Sequence, residues 1–141
     1  MKYSDIKELI PQRDPILMVD ELLEVNGEKA HTLFTVRPDC LFLDRDDRLE
    51  ESGLIEHIAQ SASVFAGYLA ISTGAIRPPI GYIGEVKKFR CYYRPMVGNE
   101  LNTTITLGPE AGGVRLLSGV VNMRDTMVAE TQMKIFIQPD S

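Results

Sequence analysis

The fold class this sequence predicts is α+β, a curved antiparallel sheet of about six strands wrapped round one long central helix. Three observations predict it. One stretch, from Leu54 to Leu69, repeats apolar residues at helical spacing over most of its circumference. Six other stretches carry the residue types and alternation of strands. The last four of these are joined by connections too short for parallel crossovers, so neighbouring strands run antiparallel.

Taken in order, Ser4 is placed to cap a short helix over Asp5 to Ile10, which Pro11 closes because proline lacks the amide the next turn needs. Ile16 to Val25 is apolar enough for a strand. Asn26-Gly27 then makes a hairpin turn, and Ala30, Thr32, Phe34 and Val36 alternate onto one side of a second strand. A charged stretch from Asp39 to Ser52 shows neither period. In the helix, Leu54, Ile58, Ala62, Phe65 and Leu69 form one stripe, widened by Ile55, Ala59 and Ala66. At about 19 residues and roughly 28 Å, it must be buried on more than one side. Ser61, Ser63 and Gly67 keep it slim, and Thr73-Gly74 ends it. Four strands follow: Tyr82 to Tyr93, Leu101 to Leu107, Val114 to Met123 and Met127 to Ile137. Leu101, Thr103, Ile105 and Leu107 alternate in the second of these, and Met127, Ala129, Thr131, Met133, Ile135 and Ile137 in the fourth.

The 141 residues are expected to form a single domain over positions 1–141, since a second core would not fit. A net charge of -5 surrounds the chain with the wrong field for nucleic acid or an acidic membrane. No apolar run is read as approaching the roughly 20 residues that span a bilayer, and the N-terminus is charged, so a cytoplasmic location is expected. Two cysteines, Cys40 and Cys91, make no disulfide framework. With two histidines there is no spaced zinc set, and no cofactor is expected.

The chemistry is sought where polar groups interrupt the apolar helix. Glu56 and Gln60, four residues apart, share a face that Ser63 and Gly67 continue. A buried carboxylate is costly unless it is hydrogen-bonded, paired or protonated, and proton transfer is one reason to keep one there. The alternative is a helix-end residue half in solvent, because acidic residues favour first turns anyway. Ser52 is expected to cap the helix, leaving the amides of Gly53, Leu54 and Ile55 free to polarise a carbonyl. His57 and His31 are alternative proton shuttles, although an ordinary hydrogen-bonded histidine is the favoured reading of each. Asp44 or Asp46, in the run from Asp44 to Glu51, supplies either a second carboxylate or only a solvated loop. Lys87, Lys88 and Arg90, with Arg94, form the one concentrated basic stretch. They are suited to a pantetheine or nucleotide phosphate or to an acidic carrier protein, or are simply solvated.

The opening IKELIPQRDPILMVDELLEV resembles that of bacterial 3-hydroxyacyl-(acyl-carrier-protein) dehydratases, in which Leu-Pro-His-Arg-x-Pro leads into Leu-Leu-Val-Asp. GLIEHIAQSASVFAGY is similar to their central helix, with the Glu-x-x-Ala-Gln core present as Glu56, Ala59 and Gln60. KKFRCYYRPMVGNEL is similar to their Arg-Phe-x-x-Pro-Val-x-x-Gly-Asp passage. The likeness runs from about Ile6 to Ile137. It implies a hotdog fold, a dimer joined edge to edge through its sheets, and active sites at the subunit boundary. Glu56 maps onto the family's catalytic acid, and the amides around Gly53 and Leu54 onto its thioester-carbonyl site. The family's loop histidine, which works with the glutamate of the other subunit, has no counterpart in FLDRDDRLEES, and Gln12 replaces an earlier histidine.

The resemblance therefore implies a divergent dehydratase of lipid metabolism or fatty acid biosynthesis. It would convert 3-hydroxyacyl thioesters on acyl carrier protein or coenzyme A to trans-2-enoyl thioesters, with catalytic groups drawn from Glu56, Gln60, Asp46 and His57. Two alternatives stand beside it. One is a hotdog acyl thioesterase using Glu56. The other is a degenerate acyl-binding subunit that completes a heterodimer with a histidine-bearing hotdog chain. A homodimer or higher homo-oligomer is the expected state otherwise.

Overall fold

The computed structural model describes residues 5–74 and 80–138. Strands β1 (Glu21–Asn26), β2 (Lys29–Thr35), β3 (Ile80–Cys91), β4 (Glu100–Ala111), β5 (Val114–Met123) and β6 (Thr126–Gln138) form one antiparallel sheet, and helix α1 (Glu51–Ser72) lies between β2 and β3 in sequence. The sheet order is β1-β2-β4-β5-β6-β3, so β1 and β3 are its edges. This is the predicted hotdog arrangement. Leu101, Thr103, Ile105 and Leu107 of β4 turn toward α1, as do Ala129, Thr131, Met133 and Ile135 of β6, and all of these are buried. Leu54, Ile58, Ala62 and Phe65 fill the space between helix and sheet.

Helix α1 is by length and composition apolar enough to cross a membrane, which corrects the expectation that no such run exists. Its small residues have another use here. A side chain at Gly67 would meet the Leu9 carbonyl oxygen at 2.0 Å, so the bare helix surface is what lets the N-terminal segment lie across it.

That N-terminal segment departs from expectation. Only a single 3-10 turn, Ile6–Glu8, forms, because Leu9 and Ile10 turn into the core, both fully buried. The expected cap Ser4 lies outside the described residues. The strand predicted from Ile16 begins at Glu21. Leu17, Met18 and Val19 are buried as the apolar run requires, yet the backbone of Ile16 and Met18 is bonded to side chains of α1 rather than to a strand. The hairpin between β1 and β2 turns at Gly27, with φ 61°.

In β6 the alternation also slips. Val121 pairs with Ala129 but Asn122 pairs with Met127, so Val128 is the extra residue of a bulge. Met127 is consequently 40% exposed and Val128 buried. The side chain of Ile137 is outside what the structure describes.

Candidate active site

Glu56 projects from the second turn of α1 and is half-buried. Its Oε2 accepts a 2.7 Å hydrogen bond from Gln60 Nε2, while Oε1 has no protein partner among the described residues. Gln60 is fully buried. Its Nε2 also donates to the Ile16 carbonyl at 2.8 Å, and its Oε1 accepts the Met18 amide at 2.6 Å. This set of partners fixes which end of the amide is which, since both carbonyl and carboxylate accept and the backbone N–H only donates. Sequence paired Glu56 with Gln60 through helical spacing, and the structure brings them together.

His57 is brought into the core instead. It is fully buried, stacked on Phe34 with ring centroids 5.5 Å apart, with Nδ1 2.7 Å from the Met18 carbonyl and Nε2 2.6 Å from Thr103 Oγ1. Burial pushes its pKa down to about 4, against the pull of the Met18 carbonyl. Such an imidazole stays neutral and has both nitrogens occupied, which is the ordinary hydrogen-bonded histidine favoured for it, and the alternative of a catalytic proton carrier is withdrawn. His31 is a half-buried partner of Thr104, 2.9 Å away.

The start of the helix also corrects expectation. The cap is Glu50, without a side-chain cap bond, and Ser52 is already inside the helix. The chain is anchored early because the Leu49 amide bonds the Pro95 carbonyl and the Glu50 amide bonds the Phe42 carbonyl. The amides of Gly53 and Leu54 both go to the Glu50 carbonyl, at 2.9 and 3.2 Å, so neither is free for a thioester. Gly53 is needed for packing, since a side chain there would meet Phe42 Cβ at 2.6 Å and Leu49 Cδ1 at 2.7 Å. Leu54 is core.

The charged run before the helix is a tight turn. Asp44 Oδ1 accepts the amides of Asp46 and Arg48 at 2.8 and 3.1 Å, and its Oδ2 meets Arg94 Nη1 at 2.8 Å. The bond from the Arg48 amide leads in holding the Asp44 carboxyl below its ordinary range. Arg48 in turn donates to the Arg94 carbonyl and lies over the Tyr93 ring. Asp44 is thus occupied, and Asp46 is exposed at the tip.

Of the basic stretch, Lys87 pairs in register with Gln132 and Arg90 with Glu130. Since Met133 and Ala129 point toward α1, strand alternation puts Lys87 and Arg90 on the opposite sheet face. Lys87 and Lys134 share Glu85, at 3.2 and 3.6 Å, and line an outer groove of about 500 Å³. Lys88, with φ 52°, is exposed at a bulge of β3. None of the three is gathered with Glu56.

Sequence reasoning missed Ile16, Met18 and Thr103 as supports of this site. Thr103 left a signal, being the one polar member of an apolar alternation. The other two act through the backbone and left none.

A family model described as ApeP dehydratase matches residues 4–141. The chain belongs to the ApeP-like dehydratases. No curated protein matches it in sequence. Among solved structures, this ApeP-like chain is similar to the dehydratase heterocomplex ApeI:P from Xenorhabdus doucetiae, with a TM-score of 0.87, 19% identity, and 96% of this chain and 91% of that chain covered. It is also similar to the uncharacterized protein PH1136 from Pyrococcus horikoshii, with a TM-score of 0.68 at 11% identity over 94% and 93% of the two chains. The E. coli PaaI protein of the phenylacetic acid degradation operon gives 0.61 at 13% identity over 82% and 80%. At these identities the structures establish the hotdog fold of the ApeP-like chain, and the family model establishes its kinship with dehydratases.

Proposed function

We propose that this chain takes part in the dehydration of 3-hydroxyacyl thioesters to trans-2-enoyl thioesters, with Glu56 as its proton-transfer group. The observation that carries the reading is the Glu56 carboxylate itself, gripped by Gln60 at one oxygen and, among the described residues, unengaged at the other. In the elimination, the C2–H proton leaves, its electron pair becomes the C2–C3 π bond, and the C3 hydroxyl departs with a proton as water. The steps balance in protons, so one carboxylate is able to accept the first proton and deliver it to the hydroxyl. Of the helpers the sequence offered, His57 is sealed, Asp44 is occupied and Asp46 is exposed at the tip of its turn, so Glu56 is taken as this subunit's contribution. Lys87 and Arg90, facing away from α1, are assigned no part in holding the thioester.

A second reading is favoured by the tight Asp44–Arg48 turn, which stands where a loop histidine would be and holds no histidine, its one carboxylate turned inward, Asp44, being already bonded. In that reading the chain pairs through a sheet edge with a histidine-bearing hotdog subunit, and Glu56 works with the partner's histidine. The similarity to the Xenorhabdus ApeI:P protein, a dehydratase heterocomplex, supports weighing it. The deciding experiment offers 3-hydroxyacyl thioesters on acyl carrier protein and on coenzyme A to the chain alone and mixed with such a partner. Enoyl-thioester absorbance that disappears in Glu56→Gln is expected. Free thiol released without enoyl product, also dependent on Glu56, would replace dehydration by thioester hydrolysis.

A further inference from the structure

A line of hydrogen bonds reaches Glu56 from the far side of the helix. The Met18 carbonyl only accepts, so His57 carries its proton on Nδ1. Being neutral, the ring accepts at Nε2, and the Thr103 hydroxyl therefore donates to it across 2.6 Å. The Met18 amide donates to Gln60 Oε1 at 2.6 Å, and Gln60 Nε2 donates to Glu56 Oε2 at 2.7 Å.

Every donor in this series points the same way, from β4 toward the carboxylate. Thr103, His57 and Gln60 are fully buried and Met18 is too, so reversing Gln60 would set donor against donor, and reversing the Thr103 hydroxyl or the His57 tautomer would set acceptor against acceptor, away from water. His57 and Gln60, three residues apart on α1, hold the carbonyl and the amide of the same residue. Met18 cannot shift without disturbing Gln60, and Gln60 cannot shift without releasing Glu56.

Resting on the reading of Glu56 as the proton-transfer group, we infer that Thr103 and His57 are positioning residues for its carboxylate, acting through the Met18 backbone and the Gln60 side chain. Neither touches substrate. Their part is to hold the Met18 backbone where its amide meets Gln60 Oε1, so that the Gln60 amide, whose orientation the Met18 amide and Ile16 carbonyl fix, stays in place to donate to Oε2.

Thr103→Val removes the first donor while keeping the side chain's shape, and Thr103→Ser returns the hydroxyl. In the full chain, with its partner subunit if activity requires one, the side-chain amide resonances of Gln60 are followed, assigned by their loss in Gln60→Glu. They shift in Thr103→Val, return in Thr103→Ser, and those of Gln132 stay in place. The rate of dehydration falls roughly tenfold in kcat with KM unchanged, and the serine variant restores it. Should the valine variant fail to fold, Thr103→Cys, a weaker donor of similar size, gives an intermediate shift. Unmoved Gln60 resonances in a folded Thr103→Val or Thr103→Cys protein overturn the inference. A wild-type protein without dehydration activity overturns the proposed reaction instead, and the Gln60 resonances still decide the positioning.

Discussion

Gln60 holds Glu56 by a 2.7 Å hydrogen bond across one turn of α1, and among the described residues only one carboxylate oxygen is engaged. Glu56→Gln keeps the size and keeps an acceptor for that bond while removing the exchangeable proton. Turnover of a 3-hydroxyacyl thioester is expected to fall by about 10²–10⁴. Thermal unfolding should show stability changed by no more than about 0.5 kcal/mol, as for a half-buried site whose hydrogen bond survives.

Gln60 is the more demanding position structurally. Gln60→Leu strands the buried Met18 amide, releases the Ile16 carbonyl and frees Glu56 to rotate. The unsatisfied buried Met18 amide costs about 1–3 kcal/mol, whereas the carbonyl of the exposed Ile16 is open to water. Urea denaturation should show a loss in that range or above, with catalytic activity lost alongside it. A Gln60→Leu protein as active and as stable as the parent would mean that the contacts with Met18 and Ile16 do not form in solution.

The order of elements, the single core helix and the Glu56–Gln60 pair were legible because each is written in periodicity: 3.6 residues for the helix, two for the strands, four between partners on one face. What stayed illegible was settled by long-range backbone bonds. Ile16 to Val19 has the composition of a strand, and no local property says that helix side chains some forty residues away will take its amides and carbonyls. The helix start was misplaced for the same reason, since Leu49 and Glu50 are anchored by Pro95 and Phe42 rather than by a capping side chain. Met127 and Val128 exchanged places because a bulge adds one residue without leaving a mark in the pattern.

The buried pair Thr32–Ser61, joined at 2.8 Å, pins β2 to α1 and supports a double-mutant test. Thr32→Val or Ser61→Ala alone leaves one hydroxyl buried without its partner and should destabilise by about 1–3 kcal/mol. The double variant removes both polar groups. Its loss should be smaller than the sum of the singles, giving a coupling energy of about 0.5–3 kcal/mol from denaturation midpoints. Strict additivity would show that the two hydroxyls do not bond one another.

His57 makes stability depend on pH in a direction that follows from its burial. In the unfolded chain it titrates near its ordinary 6.5, whereas in the native core its pKa is about 4. Above about pH 6.5 it is neutral in both states and adds no dependence. As pH falls from 6.5 toward 4 the unfolded chain binds a proton that the native state refuses, so stability is lost over that window, and below 4 no more is lost through this group. The total is on the order of 3 kcal/mol. His57→Gln preserves a donor for the Met18 carbonyl and an acceptor for Thr103 but does not titrate. Unfolding free energies measured from pH 7.5 to pH 4 should therefore fall more steeply in the parent than in the variant. The two curves would run parallel if His57 had the same pKa in the native and unfolded chains, and the parent would fall less steeply than the variant if His57 were charged in the native state.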